Sequence, residues 1–127
     1  MELIQTESAP PPAGHYSQAV VHAGMVFVAG QLPLDPATGE VVGRSIEEQT
    51  ERTLRNVEAV LEAAGSGLER LLSVTIYITG RALWPGCNET FGRVLGGHRP
   101  ARAVVPVPEL RHGCLVEIQA VAAARES

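Results

Sequence analysis

The stretch SIEEQTERTLRNVEAVLEAAG, Ser45 to Gly65, and the run VTIYIT that follows it, Val74 to Thr79, decide the fold class. Ser45-Ile46-Glu47-Glu48 fits a capping box. The serine oxygen accepts from an early helix amide, and the glutamate three residues on reaches back to the cap. From there Thr50, Leu54, Val57, Leu61 and Ala64 recur at spacings of four and three, with Glu47, Glu51, Arg55, Glu58 and Glu62 on the other faces. The spacing predicts an amphipathic helix with one face on a sheet. Gly65 stops it, because glycine readily takes the left-handed conformation at a helix C-terminus. Val74, Ile76 and Ile78 then alternate with Thr75, Tyr77 and Thr79, the period of a half-buried strand.

Working outward, Pro85 followed by Cys87, Phe91, Val94 and Leu95 predicts a second, shorter helix that ends at Gly96-Gly97. Ala101–Val107 and Cys114–Ala123 read as strands, joined by an irregular connection through Pro106-Val107-Pro108 and Arg111-His112-Gly113. Upstream, Tyr16–Ala23 and Met25–Ala29 read as a hairpin turning at His22-Ala23-Gly24. Gln31–Gly39, with two prolines and a terminal glycine, is an ordered excursion. The proline-rich Ala9–Gly14 cannot enter a sheet interior and is an extended surface loop. The order is ββαβαββ: an α+β fold, one domain over residues 1–127, with both helices on one face of the sheet. The apolarity of the other face implies a subunit contact.

Composition excludes several classes. All ten basic residues of the 127 are arginine, so there is no lysine for a Schiff base or a phosphate-binding loop. A net charge of −4 and 4% aromatic content argue against a nucleic-acid partner. Cys87 and Cys114 lack CxxC spacing and read as buried packing residues. His15, His22, His98 and His112 are scattered, so no metal site is expected. No apolar run approaches the ~18 residues that span a bilayer. The start Met-Glu-Leu-Ile-Gln does not read as a signal peptide, so a cytoplasmic location is the expectation.

Two charged residues stand in the last two predicted strands. Alternation puts Arg102 with Val104 and Pro106, opposite Ala101, Ala103, Val105 and Val107, so Arg102 is expected to point away from an aliphatic core face. Glu117, with Leu115 and Gln119, lies opposite Val116, Ile118 and Ala120, mid-strand among apolar neighbours. A charge there needs a partner or a cleft. A structural ion pair between Arg102 and Glu117 is one reading. The other is chemical: the arginine fork holds a substrate carboxylate and the glutamate directs a water molecule, a combination suited to hydrolysis. Residue chemistry leaves both open. Trp84 and Phe91 read as packing residues, and His15 as a solvated loop residue.

Pro100-Ala101-Arg102 and Val116-Glu117-Ile118, taken with Ala13-Gly14-His15-Tyr16, Gly30-Gln31-Leu32-Pro33, Asn56-Val57 and Asn88, resemble the reactive-intermediate deaminase (RidA/YjgF) family over nearly the whole chain. The resemblance implies a chorismate-mutase-like (YjgF-type) fold with a mixed sheet, a homotrimer with clefts between subunits, and no cofactor. It also implies hydrolysis of enamines and imines such as 2-aminoacrylate and 2-iminopropionate to 2-keto acids and ammonia. Carried over, Arg102 holds the substrate carboxylate, Glu117 orients the water and Tyr16 closes the cleft. The backbone around Ala29, Gly30, Gln31 and Val104 contacts the substrate, and Asn88 lies at the rim. Ala29 and Val104 stand where well-known deaminases of the family often carry serine and cysteine, a difference that bears on substrate range. The alternatives are a non-catalytic trimer binding a keto acid or amino acid and, less favoured by the acidic balance, an endoribonuclease.

Overall fold

The computed structural model describes residues 1–125; the last two residues of the expected 1–127 domain lie outside the described residues. Six strands form one sheet among them: β1 (Glu2–Ile4), β2 (Ala19–His22), β3 (Met25–Gln31), β4 (Leu71–Ile78), β5 (Ala101–Pro106) and β6 (Val116–Ala123). The spatial order is β1-β2-β3-β6-β4-β5. β4 and β5 are parallel and the other neighbours antiparallel, so the sheet is mixed. Helices α1 (Ile46–Ala63) and α2 (Trp84–Leu95) complete the fold. β6, the last strand, fills the slot between β3 and β4, on either side of the α1 crossover.

α1 begins as the sequence dictates. Ser45 Oγ accepts from the Glu48 amide, and the Glu48 carboxylate returns to the Ser45 backbone. Its buried face includes Thr50, Leu54, Val57 and Leu61, as the spacing predicts, and also Gln49, Thr53, Asn56 and Val60. These residues pack on Val26 and Val28 of β3, Ile118, Ala120 and Ala122 of β6, and Val74, Ile76 and Ile78 of β4. At ~25 cal/mol per Å² of apolar surface removed from water, this layer is the main source of stability. α2 packs against α1 and reaches β5 through the Trp84 and Phe91 rings, which lie beside Arg102. No helix of the described residues is long and apolar enough to cross a membrane.

The expected hairpin is present, but its first strand starts at Ala19 rather than Tyr16. Its turn places Ala23 and Gly24 at positive φ, 53° and 76°, the geometry that matches strand twist in a two-residue hairpin. The last two strands are shorter than expected, and β1 was not foreseen. Three residues carry too little alternation to mark a strand. The face away from the helices is open. A row of side chains in register crosses it, Leu3, Val20, Phe27 and Val121, with Leu3 and Phe27 exposed.

Candidate active site

Arg102 does not point away from the core face. It pairs in register with Val74, a core residue of β4, so its side chain lies on the helix-covered face. The expectation failed because β5 is an edge strand: α2 reaches only part of it, and Ala101, Ala103 and Val105, which looked like core, face the open side. The Arg102 guanidinium carbon lies 4.6 Å from the Trp84 ring centre and 5.0 Å from that of Phe91. Its Nη1 donates to Asn88 Oδ1 at 3.0 Å. Trp84 and Phe91 therefore do more than pack. They form a platform that holds the fork, an arrangement worth ~0.5–2 kcal/mol. Beside it a hollow of about 680 Å³ is lined by Ile78, Arg81, Ala82, Trp84, Val104 and Pro106.

Glu117 sits elsewhere. It pairs in register with Tyr77 of β4, whose side chain alternates to the face opposite Val74, and so it faces the open side. It is the second residue of β6 rather than mid-strand. Arg102 and Glu117 thus lie on opposite faces of one sheet, and neither is in the ion pairs of the described residues. The structural ion pair within one chain is excluded.

A bulge in β3 builds the Glu117 surroundings. Val28 pairs with Ala120 and Gln31 with Ile118, so Ala29 and Gly30 together oppose Gln119. Gly30 is pressed against the Glu117 carboxylate, and a Cβ there would overlap Oε2. The Ala29 amide bonds Gln18 O at 2.9 Å, and Gln31 Nε2 donates to Ala29 O at 3.1 Å. A cavity of about 600 Å³ opens here, lined by Glu117, Gly30, Tyr16, the Pro10–Ala13 strap, Arg111 and His112, among others. Burial pushes the Glu117 carboxyl above its ordinary value, and the charge of Arg111 pulls it partly back. Such a carboxyl exchanges protons closer to neutral pH than an exposed one.

Buried amides hold these walls. Gln18, 1% exposed, donates to Ala9 O and Pro10 O and fixes the strap. Tyr16, half exposed, accepts on its hydroxyl from the Ala13 amide at 3.1 Å, which fastens it to the strap's end. Asn56 donates to Leu32 O and Leu34 O, and Gln49 accepts from the Leu115 amide while donating to Gly43 O. Each joins the helix layer to a loop beside the cavity. Gln18, Gln49, Arg111 and His112 were missed from sequence, although a polar residue inside a helix's apolar stripe, as Gln49 is, was a readable signal. Cys87 and Cys114 are buried as expected, and burial pushes both thiols up.

The family model described as Endoribonuclease L-PSP matches residues 6–124. A RutC family protein of Pyrococcus horikoshii is 43% identical over 121 residues, spanning 95% of this chain and 96% of its own. The crystal structure of RidA from an Antarctic Psychrobacter superposes with a TM-score of 0.92 at 36% identity, over 97% of this chain and 99% of that one. The chain belongs to the RidA/YjgF family. The crystal structure of E. coli TdcF with bound serine superposes with a TM-score of 0.93 at 32% identity, over 98% of this chain and 100% of that one. The residues that the sequence resemblance singles out fall into two separate groups in this chain. Arg102, Asn88 and Val104 lie on the helix-covered face, and Tyr16, Ala29, Gly30, Gln31 and Glu117 lie around the cavity.

Proposed function

We propose that this protein hydrolyses reactive enamine and imine acids of the 2-aminoacrylate and 2-iminopropionate type to 2-keto acids and ammonia, without a cofactor. The site is completed between neighbouring subunits of a homotrimer, Arg102 coming from one and Glu117 with Tyr16 from the next. One observation carries the reading: Arg102 is stacked on two rings and bonded to a neutral amide, with no carboxylate partner among the described residues. A planar cation held this way is prepared for a planar anion brought from outside the chain. The position of Glu117 on the open, partly apolar face supports a neighbouring subunit as the meeting point.

In this mechanism the enamine first takes a proton at its terminal carbon and becomes the imine. Arg102 holds the substrate carboxylate through two parallel hydrogen bonds, which fixes the imine carbon. Glu117 accepts a proton from water as the oxygen adds to that carbon, giving a carbinolamine. Glu117 passes that proton to nitrogen, the C–N bond breaks as ammonia leaves, and the hydroxyl proton returns to Glu117 as the C=O bond forms. Gly30 leaves room for the Glu117 carboxylate, and Tyr16 closes the entrance.

The test generates imines in situ with an amino-acid oxidase and follows keto-acid release above the buffer rate. Acceleration by the wild type that is lost in Arg102→Ala supports the proposal. A wild type no faster than buffer across several amino acids ends it. The serine-bound TdcF structure favours one second reading, a cleft that binds an amino acid or keto acid without turnover. Saturable binding with no acceleration would establish that reading instead.

A further inference from the structure

The cavity beside Glu117 is lined, within the single chain, by more polar side chains than the proposed chemistry uses. At about 600 Å³ it falls within the ~300–1,000 Å³ of pockets that hold drug-sized ligands, and a three-carbon imino acid fills a small part of it. Its lining includes one arginine and one histidine, Arg111 and His112. We infer that Arg111, assisted by His112, is a second anion-binding position, and that the substrates include dicarboxylic imino acids, with Arg102 taking the α-carboxylate and Arg111 the side-chain carboxylate.

The turn carrying these residues is fixed. The Cys114 amide donates to Arg111 O at 3.1 Å, the Leu115 amide is held by Gln49 at 2.8 Å, and Cys114 is buried. His112 has φ 59° and ψ 18° and is followed by Gly113 at φ 69°. A histidine in the left-handed region costs free energy, and such residues cluster at binding sites where the turn must aim a side chain. Arg111 Nη2 lies 3.5 Å from His112 Nε2, at the outer limit of a hydrogen bond. Among the described residues Arg111 is in no ion pair, although it is close enough to Glu117 to influence that carboxyl. Among the described residues it is therefore a cation at the cavity wall that is committed to no ion pair. Its planar fork matches a carboxylate, and the cavity gives a five-carbon chain room to reach it.

This inference rests on the deaminase reading, and its test separates the two. Imines are generated in situ from glutamate and, as a neutral control of equal length, from glutamine. The ratio of kcat/KM between them is compared in wild type and Arg111→Ala. The expected result is a preference for the dicarboxylic imine that falls about 10- to 100-fold in Arg111→Ala, the worth of one charge-assisted contact, with partial retention in Arg111→Lys. A loss shared equally by both substrates overturns the inference and makes Arg111 a modulator of Glu117. If no imine is accelerated, the deaminase reading fails and binding decides this one. Calorimetry with 2-oxoglutarate and its monoanionic isostere 5-methyl-2-oxohexanoate, which lacks only the side-chain carboxylate, should show about tenfold tighter binding of the diacid in wild type, abolished in Arg111→Ala. Equal affinities, or a preference that survives in Arg111→Ala, overturn it.

Discussion

Replacing Gly30 by alanine tests whether the position of the Glu117 carboxylate matters to the chemistry. Gly30 is not in the left-handed region, so alanine is tolerated by the backbone, and the effect is one of space. The new Cβ would lie 3.1 Å from Glu117 Cδ and 3.4 Å from Cγ, and would overlap one carboxylate oxygen. Carbon atoms settle at ~3.5–4.0 Å, so the carboxylate must swing aside by about 1 Å. A misplacement of about 1 Å in a reacting group can cost on the order of 100-fold in rate. Stability should change little, by about 0.5 kcal/mol, because the atom that moves is the end of a partly exposed side chain. The assay is keto-acid release from imines formed in situ, with thermal unfolding alongside. A double-mutant cycle isolates the cause: in a Glu117→Ala background, Gly30→Ala should have no further effect. Wild-type activity in Gly30→Ala, or an equal loss in both backgrounds, would refute the reasoning.

Arg102→Lys keeps the charge but loses the parallel hydrogen bonds and the stacking on Trp84 and Phe91. We expect kcat/KM to fall about 10- to 100-fold, whereas a wild-type value would show that the fork is not used. The raised proton affinity of Glu117 gives two linked pH effects. Activity should fall as pH drops through that raised value, on an acid limb above the ~4.3 of an ordinary glutamate, and kcat/KM profiles of the wild type locate it. In the fold the ionised form is the disfavoured one, so Glu117 costs stability once pH has risen through its folded value and costs nothing below the unfolded one. Glu117→Gln should therefore melt higher than wild type at neutral pH, with the gap closing below about pH 4.

The parts of this fold that were legible in the sequence are those governed by local chemistry. Ser45 and Glu48 cap α1 as their spacing requires, Gly24 turns the hairpin, and the alternation of Val74, Ile76 and Ile78 places β4 in the core. What was misread depends on tertiary context. Alternation separates the two faces of β5 but does not say which one a helix covers, and so Arg102 was assigned to the wrong side. The Ala29–Gly30 bulge cannot be read from β3 alone, because it exists only in register with β6. Trp84 and Phe91 are ordinary packing residues until β5 brings a guanidinium over them. Arg111 and His112 looked like part of an irregular connection, and only the folding of that turn against the cavity gives them a place in a site.

The central claim is that Arg102 and Glu117, separated by the sheet within one chain, act together across a subunit boundary. The most direct measurement mixes two inactive variants, Arg102→Ala and Glu117→Gln, by denaturing them together and refolding, or by coexpression. In randomly assembled trimers about a quarter of the boundaries join an intact Arg102 to an intact Glu117, so the mixture should recover about a quarter of wild-type activity while each variant alone stays inactive. A mixture no more active than its components, with subunit exchange confirmed by mass spectrometry, would contradict the account.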